Sequence, residues 1–149
     1  MPEMWKVSRA TCIVLLMILP LMAEAASGSR EFRYDPAVVK LSGTVVLRAY
    51  AGPPNFESIR RGDRLERCWI LKLNAPIDVV ADEDDDDNET QRGVSEIQIV
   101  LLGAERPSAL LRAGRRVIVS GRLFSWQTAH HRTPVLIAVS GLEVNRGLK

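Results

Sequence analysis

Two adjacent histidines, His130 and His131, are the residues of this sequence whose chemistry stands out, and the chain contains no other histidine. Neutral imidazole is a common metal ligand, so the pair suggests a small metal-binding protein that holds a divalent metal there. A zinc site needs three or four protein ligands, whereas neighbours in an extended segment point to opposite faces. Further ligands would have to come from another loop, for example Glu57 or Asp63.

A second interpretation is a binding surface made of aromatic, basic and hydroxyl side chains near the histidines. Its candidate residues are Phe56, Trp126, His130, His131, Arg132 and Thr133. Such a patch can stack a sugar ring or a base, although Phe56 and Trp126 could instead pack at the end of a barrel. The formal net charge is only +2, so positive and negative side chains nearly balance. This balance does not favour binding to the phosphates of a nucleic acid. The predicted partner is therefore a cell-envelope glycan or a protein rather than a nucleic acid, and no other cofactor is predicted.

Catalytic signatures are missing from the sequence. It contains neither a Gly-x-Ser-x-Gly elbow nor a phosphate-binding glycine loop. Dense carboxylates occur only in the acidic run of residues 82–89, which we interpret as a solvated hairpin loop. Calcium binding is the alternative there, but the run lacks the glycine turn and the distant glutamate of an EF-hand. Residues 57–67 alternate in charge and predict a solvated, self-neutralising loop. The sequence does not support an enzyme.

Alternating apolar residues predict five strands, which are residues 41–50, 68–80, 94–102, 115–124 and 135–144. Residues 107–112 predict one short helical turn that stops at Gly114. Three strands, a short helix and two strands are the order of a five-stranded OB-like Greek-key barrel. A small open sandwich would fit the alternation but not the helix. The loops that carry ligands in an OB-fold follow strands one and four, which here are residues 51–67 and 125–133.

The first residues predict a secretory signal. Lys6 and Arg9 precede an apolar run from Ala10 to Ala23, which is too short for a membrane-spanning helix of roughly 20 residues. Small residues then favour cleavage near Ala25. We therefore expect a signal peptide over residues 1–25, a polar leader over 26–36 and the barrel domain over 37–145. The mature chain should lack a transmembrane span and be periplasmic or secreted, with Cys68 as its lone cysteine.

Four stretches of the sequence resemble the DUF4431 family of small bacterial secreted or periplasmic domains. They are residues 34–43 (YDPAVVKLSG), 52–58 (GPPNFES), 69–73 (WILKL) and 130–136 (HHRTPVL). Relatives commonly carry a third histidine where this chain has Arg132, and often a cysteine where it has Asp78. The family has no known activity, so the resemblance implies a bacterial secreted or periplasmic domain and does not imply a particular reaction. The expected function is a secreted or periplasmic binding module, and the alternative is a metal-binding protein.

Overall fold

The computed structural model describes residues 29–102 and 111–146 of the chain. Six strands make up almost all of the regular structure: β1 (Arg30–Arg33), β2 (Val38–Ala51), β3 (Leu65–Val80), β4 (Gln91–Leu101), β5 (Arg116–Ser125) and β6 (Val135–Val144). Among the described residues, the sole helical element is the 3-10 turn Ile59–Arg61. The predicted signal peptide lies outside the described residues.

Strands β2 to β6 close into a barrel. Strand β2 pairs antiparallel with β3 and β5, β3 pairs antiparallel with β4, and β5 pairs antiparallel with β6. The ring is completed by a parallel pairing of β4 with β6. The prediction of a small, all-β, five-stranded barrel is confirmed. Its order, in which the third barrel strand neighbours the fifth, is that of a Greek-key OB-like barrel.

Strand β1 is an element that the sequence analysis did not identify. It lies within the segment predicted to be a polar leader and pairs in parallel with the second half of β3, from Ile77 to Val80. Pairing between β3 and β4 is irregular between Lys72 and Ile77, a segment that contains Pro76. Proline lacks an N–H for the ladder, and beyond this position β3 also pairs with β1.

The barrel interior is built by alternate residues of each strand, since successive side chains point to opposite faces. In β5, Val117, Val119 and Leu123 are fully buried. In β3, Leu71 is fully buried, whereas Trp69 is half-buried and packs against the edge of the core. The core residues are Tyr34, Val39, Leu41, Val45, Leu71, Ile77, Val79, Ile97, Ile99, Leu111, Val117, Val119, Leu123, Val135 and Ile137.

Two glycines have distinct local roles in the barrel. The pairing of β5 with β6 shifts its register between Ser120 and Gly121, and a side chain at Gly121 would collide with the backbone carbonyl of Ala138. Gly114 adopts a φ of 81°, and its N–H donates to the carbonyl of Val45. These two positions therefore require glycine for different reasons, close strand approach and a left-handed backbone.

Most of the predicted helical turn between the third and fourth barrel strands, residues 107–110, lies outside the described residues. Leu111 and Arg112, at its end, are irregular. In residues 29–102 and 111–146, no helix has the length and apolar character needed to cross a membrane.

Candidate binding face

The first loop, residues 52–64, is organised around the carboxylate of Asp63. This carboxylate accepts hydrogen bonds from the backbone N–H groups of Asn55, Glu57 and Ser58 at 2.7–2.9 Å. The bonds from Ser58 and Asn55 hold the pKa of Asp63 below its usual value. Asp63 is only 5% exposed, so it supports the loop. It is neither the solvated charge nor the outside metal ligand that the sequence suggested.

The histidine loop, residues 126–134, is held by the buried side chain of Gln98 in β4. Its Oε1 accepts the N–H of Arg132 at 2.6 Å, and its Nε2 donates to the carbonyl of His130 at 3.2 Å. The backbone N–H of Gln98 donates to the hydroxyl of Thr133, which itself donates to the carbonyl of Val135. The loop is therefore folded onto the outer face of the barrel, and Thr133 is one of its internal supports.

The histidine loop is also held by Glu66, which lies near the start of β3, directly after the first loop. One carboxylate oxygen accepts from Nη2 of Arg132 at 2.8 Å, and the other accepts from Nδ1 of His130 at 2.7 Å. Arg132 also donates to the carbonyl of Ala51, at the end of β2. A side chain at Gly52 would overlap that of Glu66, so glycine leaves the space that this carboxylate occupies.

Aromatic rings complete this contact. The guanidinium carbon of Arg132 lies 5.1 Å from the ring centroid of Tyr50 and 5.4 Å from that of Phe56. Phe56 also meets the ring of His130 edge-to-face, with centroids 5.1 Å apart. Both distances from Arg132 fit cation–π contacts. We call the set Tyr50, Phe56, Glu66, His130 and Arg132 the loop junction.

Burial and charge shape the titration of the loop junction. Burial alone would raise the pKa of Glu66, but the hydrogen bonds from Arg132 and His130 outweigh it and leave the pKa below its usual value. The half-buried thiol of Cys68 lies beside Arg132, and burial raises its pKa although the guanidinium acts against the rise. The Arg132 side chain is 12% exposed, and its buried Nε has no hydrogen-bond partner in the described part of the chain.

The two histidines face different neighbours. The hydrogen bond from the N–H of His131 to the carbonyl of Thr128 closes a turn here, rather than the extended segment that the sequence suggested. The side chain of His130 is 58% exposed and contacts Glu66 and Phe56. His131 is half-buried; its Nδ1 accepts the N–H of Gln127, and its ring meets Phe124. Burial, and then the charge of His130, lower the pKa of His131. Within residues 29–102 and 111–146, no three histidine, cysteine or carboxylate side chains converge as metal ligands would.

Three of the six predicted site residues, Phe56, His130 and Arg132, therefore come together in the loop junction. Trp126 lies outside it with 64% of its surface exposed. Its side chain borders a shallow depression together with His131 and Pro134, so it does not plug the barrel.

Sequence analysis missed Glu66 and Gln98, which connect the site. Glu66 was assigned to a solvated charged loop, but its side chain is only 23% exposed. Tyr50 and Glu66 are paired neighbours of β2 and β3, so extending the predicted second strand to residue 65 would have placed them together. Gln98 offers no comparable signal, because its partners lie more than thirty residues away in the chain.

The acidic run of residues 82–89 is a separate loop between β3 and β4. The Asp85 carboxylate accepts the backbone N–H groups of Asp87 and Asn88. Asn88 turns towards the barrel, where its Oδ1 accepts the N–H of Ser125 at 3.1 Å. Asp82 pairs with Arg33 of β1, and the hydroxyl of Tyr34 donates to the carbonyl of Glu89, so both ends of the run are attached to the barrel. Asp84, Asp86 and Asp87 remain exposed, which agrees with a solvated loop.

The fold and site thus define a small OB-like barrel with a connected pair of loops on one face. The sequence model of DUF4431, described as a domain of unknown function, matches residues 96–144. The match confirms the resemblance over a segment that includes Gln98 and the whole histidine loop, whereas Phe56 and Glu66 precede it. A search of curated proteins found no match to the chain.

Proposed function

We propose that the protein is a binding module whose ligand face is built by the first loop and the histidine loop. The observation that carries this proposal is the contact between the two loops. Phe56 of the first loop packs against both His130 and Arg132, and Glu66 of β3 holds those two side chains in place. A face with fixed side chains loses less conformational entropy on binding than a mobile one. The OB-fold commonly uses the equivalent two loops for ligands.

His130 is the junction residue best suited to touch a ligand. A carboxylate is an acceptor only, so His130 donates from Nδ1 to Glu66 and keeps Nε2 for another partner. Phe56 beside it supplies an aromatic edge. Arg132 is mostly enclosed and acts as the support behind them. The proposed role is recognition, and the junction brings no nucleophile or pair of catalytic carboxylates to His130.

A metal-binding function centred on His130 and His131 is not favoured by any contact in the described parts of the chain. Each ring has its Nδ1 engaged, one with Glu66 and the other with the backbone of Gln127. The two rings pack against different aromatic residues, Phe56 and Phe124. Two imidazoles also fall short of the three or four ligands of a zinc site.

The test is a ligand screen with matched variants. The purified protein is presented to arrays of cell-envelope polysaccharides and of peptides, and each retained ligand is titrated against two double variants. Phe56→Ala with His130→Gln alters the proposed face, whereas Asp84→Asn with Asp86→Asn alters the acidic loop. We expect about tenfold weaker binding for the first variant and no change for the second. Equal affinities for both variants, or no retained ligand, would contradict the proposal.

We further infer that the module works in the periplasm or outside the cell. The support is the basic, apolar and small-residue pattern of residues 1–25. N-terminal sequencing of the exported protein should find a start at or within a few residues of Ala26. An exported protein that still begins at Met1 would remove the inference of cleavage.

A further inference from the structure

Two depressions flank the end of the histidine loop, and Arg132, Thr133 and Pro134 line both. The first has a volume of about 220 Å³ and is bordered by Trp126 and His131. The second has a volume of about 340 Å³ and extends over the outer surface of β4. The segment 132–134 therefore forms a ridge between two adjoining hollows.

The first hollow combines an exposed aromatic ring with a neutral hydrogen-bonding ring. The backbone N–H of Trp126 donates to the carbonyl of Pro134, so the start of its side chain is fixed while the indole stays 64% exposed. His131 accepts a hydrogen bond at Nδ1, which leaves the proton on Nε2 as a donor. A flat apolar face beside a polar donor suits a ring that has both C–H and O–H groups.

The second hollow offers donors and acceptors side by side. Arg48 and Glu96 form a two-point ion pair on its wall. The pair remains 42% and 26% exposed, respectively, so further N–H groups and carboxylate lone pairs can reach a ligand. A guanidinium next to a carboxylate can bind neighbouring hydroxyl groups, one as acceptor and one as donor.

The charges of this surface argue against an anionic ligand. Arg48 is neutralised by Glu96, and Arg92, on the same wall, lies 3.4 Å from the carboxylate of Asp78. Arg132 on the ridge is neutralised by Glu66. A phosphate or an acidic polymer would have to compete with these carboxylates, whereas a neutral polyhydroxylated ligand uses both members of each pair.

We propose that the hollows on both sides of residues 132–134 bind a neutral oligosaccharide of at least two units. Trp126 stacks one sugar ring, and the Arg48–Glu96 pair holds the hydroxyls of another. This inference rests on the binding function proposed above and extends its face beyond the loop junction. It adds Arg48 and Glu96, which the sequence did not single out, and names the chemical class of the ligand.

The test is a titration of the isotopically labelled protein with cellotetraose, maltotetraose and tetra-N-acetylchitotetraose, followed by NMR. At least one tetrasaccharide should shift the indole N–H signal of Trp126 and the amides of residues 132–134. Its monosaccharide should bind about tenfold or more weakly, because it fills only one hollow. A thermal melt of each variant confirms that the variant is folded.

Three variants locate the contacts. Trp126→Ala should weaken the tetrasaccharide about tenfold, the loss of one stacking contact. Arg48→Gln should weaken it about three- to tenfold. Lys40→Ala, an exposed change elsewhere on β2, should leave the affinity unchanged. Unchanged affinity in Trp126→Ala would overturn the oligosaccharide site even if a sugar binds.

A peptide library titrated in the same way separates this inference from the function on which it rests. If a peptide shifts residues of the loop junction and no tetrasaccharide binds, the ligand class is wrong and the binding face stands. If ligands bind but perturb neither the junction nor residues 126–134, both proposals fail.

Discussion

The histidine loop and the acidic loop are both long, polar connections, yet the barrel holds them in different ways. The histidine loop is tied to two distant strands, through Gln98 of β4 and Glu66 of β3. The acidic loop is attached at its two ends, through Asp82 and through residues 87–89, whereas its middle is organised by Asp85 and stays exposed. Contacts from the barrel therefore reach the middle of the histidine loop but only the ends of the acidic loop, and the local density of charge does not mark the candidate site.

Removing the side chain of Arg132 should produce the largest loss of stability. Arg132→Ala deletes the hydrogen bond to Ala51 and leaves Glu66 partly buried without its cation. We expect a loss of about 2–4 kcal/mol in the free energy of unfolding, less than for a fully buried pair. Arg122→Ala is the control, because its partner Asp35 and Arg122 itself are more than half exposed; it should cost at most about 1 kcal/mol. Equal losses in denaturant titrations would mean that the loop junction is not held by Arg132.

Gln98 and Asn88 are the two amide side chains that anchor the loops, and they should contribute different amounts to the free energy of unfolding. Gln98→Ala leaves the N–H of Arg132 and the carbonyl of His130 without their partner, and should cost about 1–3 kcal/mol. Asn88→Ala acts at a half-buried site and should cost about 1 kcal/mol or less. Gln98→Glu keeps the acceptor for Arg132 but loses the donor to His130, so it should fall between wild type and Gln98→Ala. A larger loss for Asn88→Ala would reverse the comparison.

Replacing His131 should change the stability of the protein, and the pH dependence of that stability, more than replacing His130 does. His131→Ala should cost about 1–2 kcal/mol through its half-buried ring and hydrogen bond, whereas His130→Ala should be nearly neutral. The pKa of His131 is lowered in the fold, so protonation favours the unfolded chain. Stability should therefore decline as the pH falls from about 7 to about 5, below the unfolded pKa of 6.5.

Substitution identifies the group responsible for that decline. His131→Gln should flatten the pH profile of the melting temperature more than His130→Gln does. An identical decline in wild type and His131→Gln would show that the effect arises elsewhere. If each histidine variant instead lost bound zinc that the wild type retains in stoichiometric amount, the metal hypothesis would replace our account.

Substitutions in the acidic loop should produce the smallest change in stability. Asp84→Asn with Asp86→Asn removes two exposed charges from a cluster of like charges. We expect a change within about 0.5 kcal/mol, and towards stabilisation, because the repulsion is reduced. If calcium raises the melting temperature of the wild type and this variant abolishes the rise, the loop binds a cation and the contrast with the histidine loop fails.

The barrel was predictable from sequence because its signals are local. Alternation of buried residues places β2 to β6, and the last barrel strand has the predicted bounds, Val135–Val144. Gly114, which was predicted as a stop, adopts a left-handed backbone with a φ of 81°. Strand β1 was missed because residues 30–33 are largely polar and pair at the edge of the barrel.

The site was predictable only in part. Phe56, His130 and Arg132 stand out by residue type, and the OB-like order places their loops side by side. Glu66 looks like part of a solvated charged loop and Gln98 like an ordinary polar residue of a strand. Their roles depend on contacts between segments far apart in the chain. Nothing in the sequence pattern fixes which polar residue of a strand will face a folded loop.

The most direct test of the connected face is a double-mutant cycle on the free energy of unfolding, with Glu66→Gln and Arg132→Ala. Our account predicts a coupling of about 1–3 kcal/mol between the two residues, whereas the exposed pair Asp35 and Arg122 should give less than about 0.5 kcal/mol. A Glu66–Arg132 coupling no larger than that of the exposed pair would contradict the claim that this contact fixes the histidine loop on β3, where Arg132 and His130 meet Phe56 of the first loop.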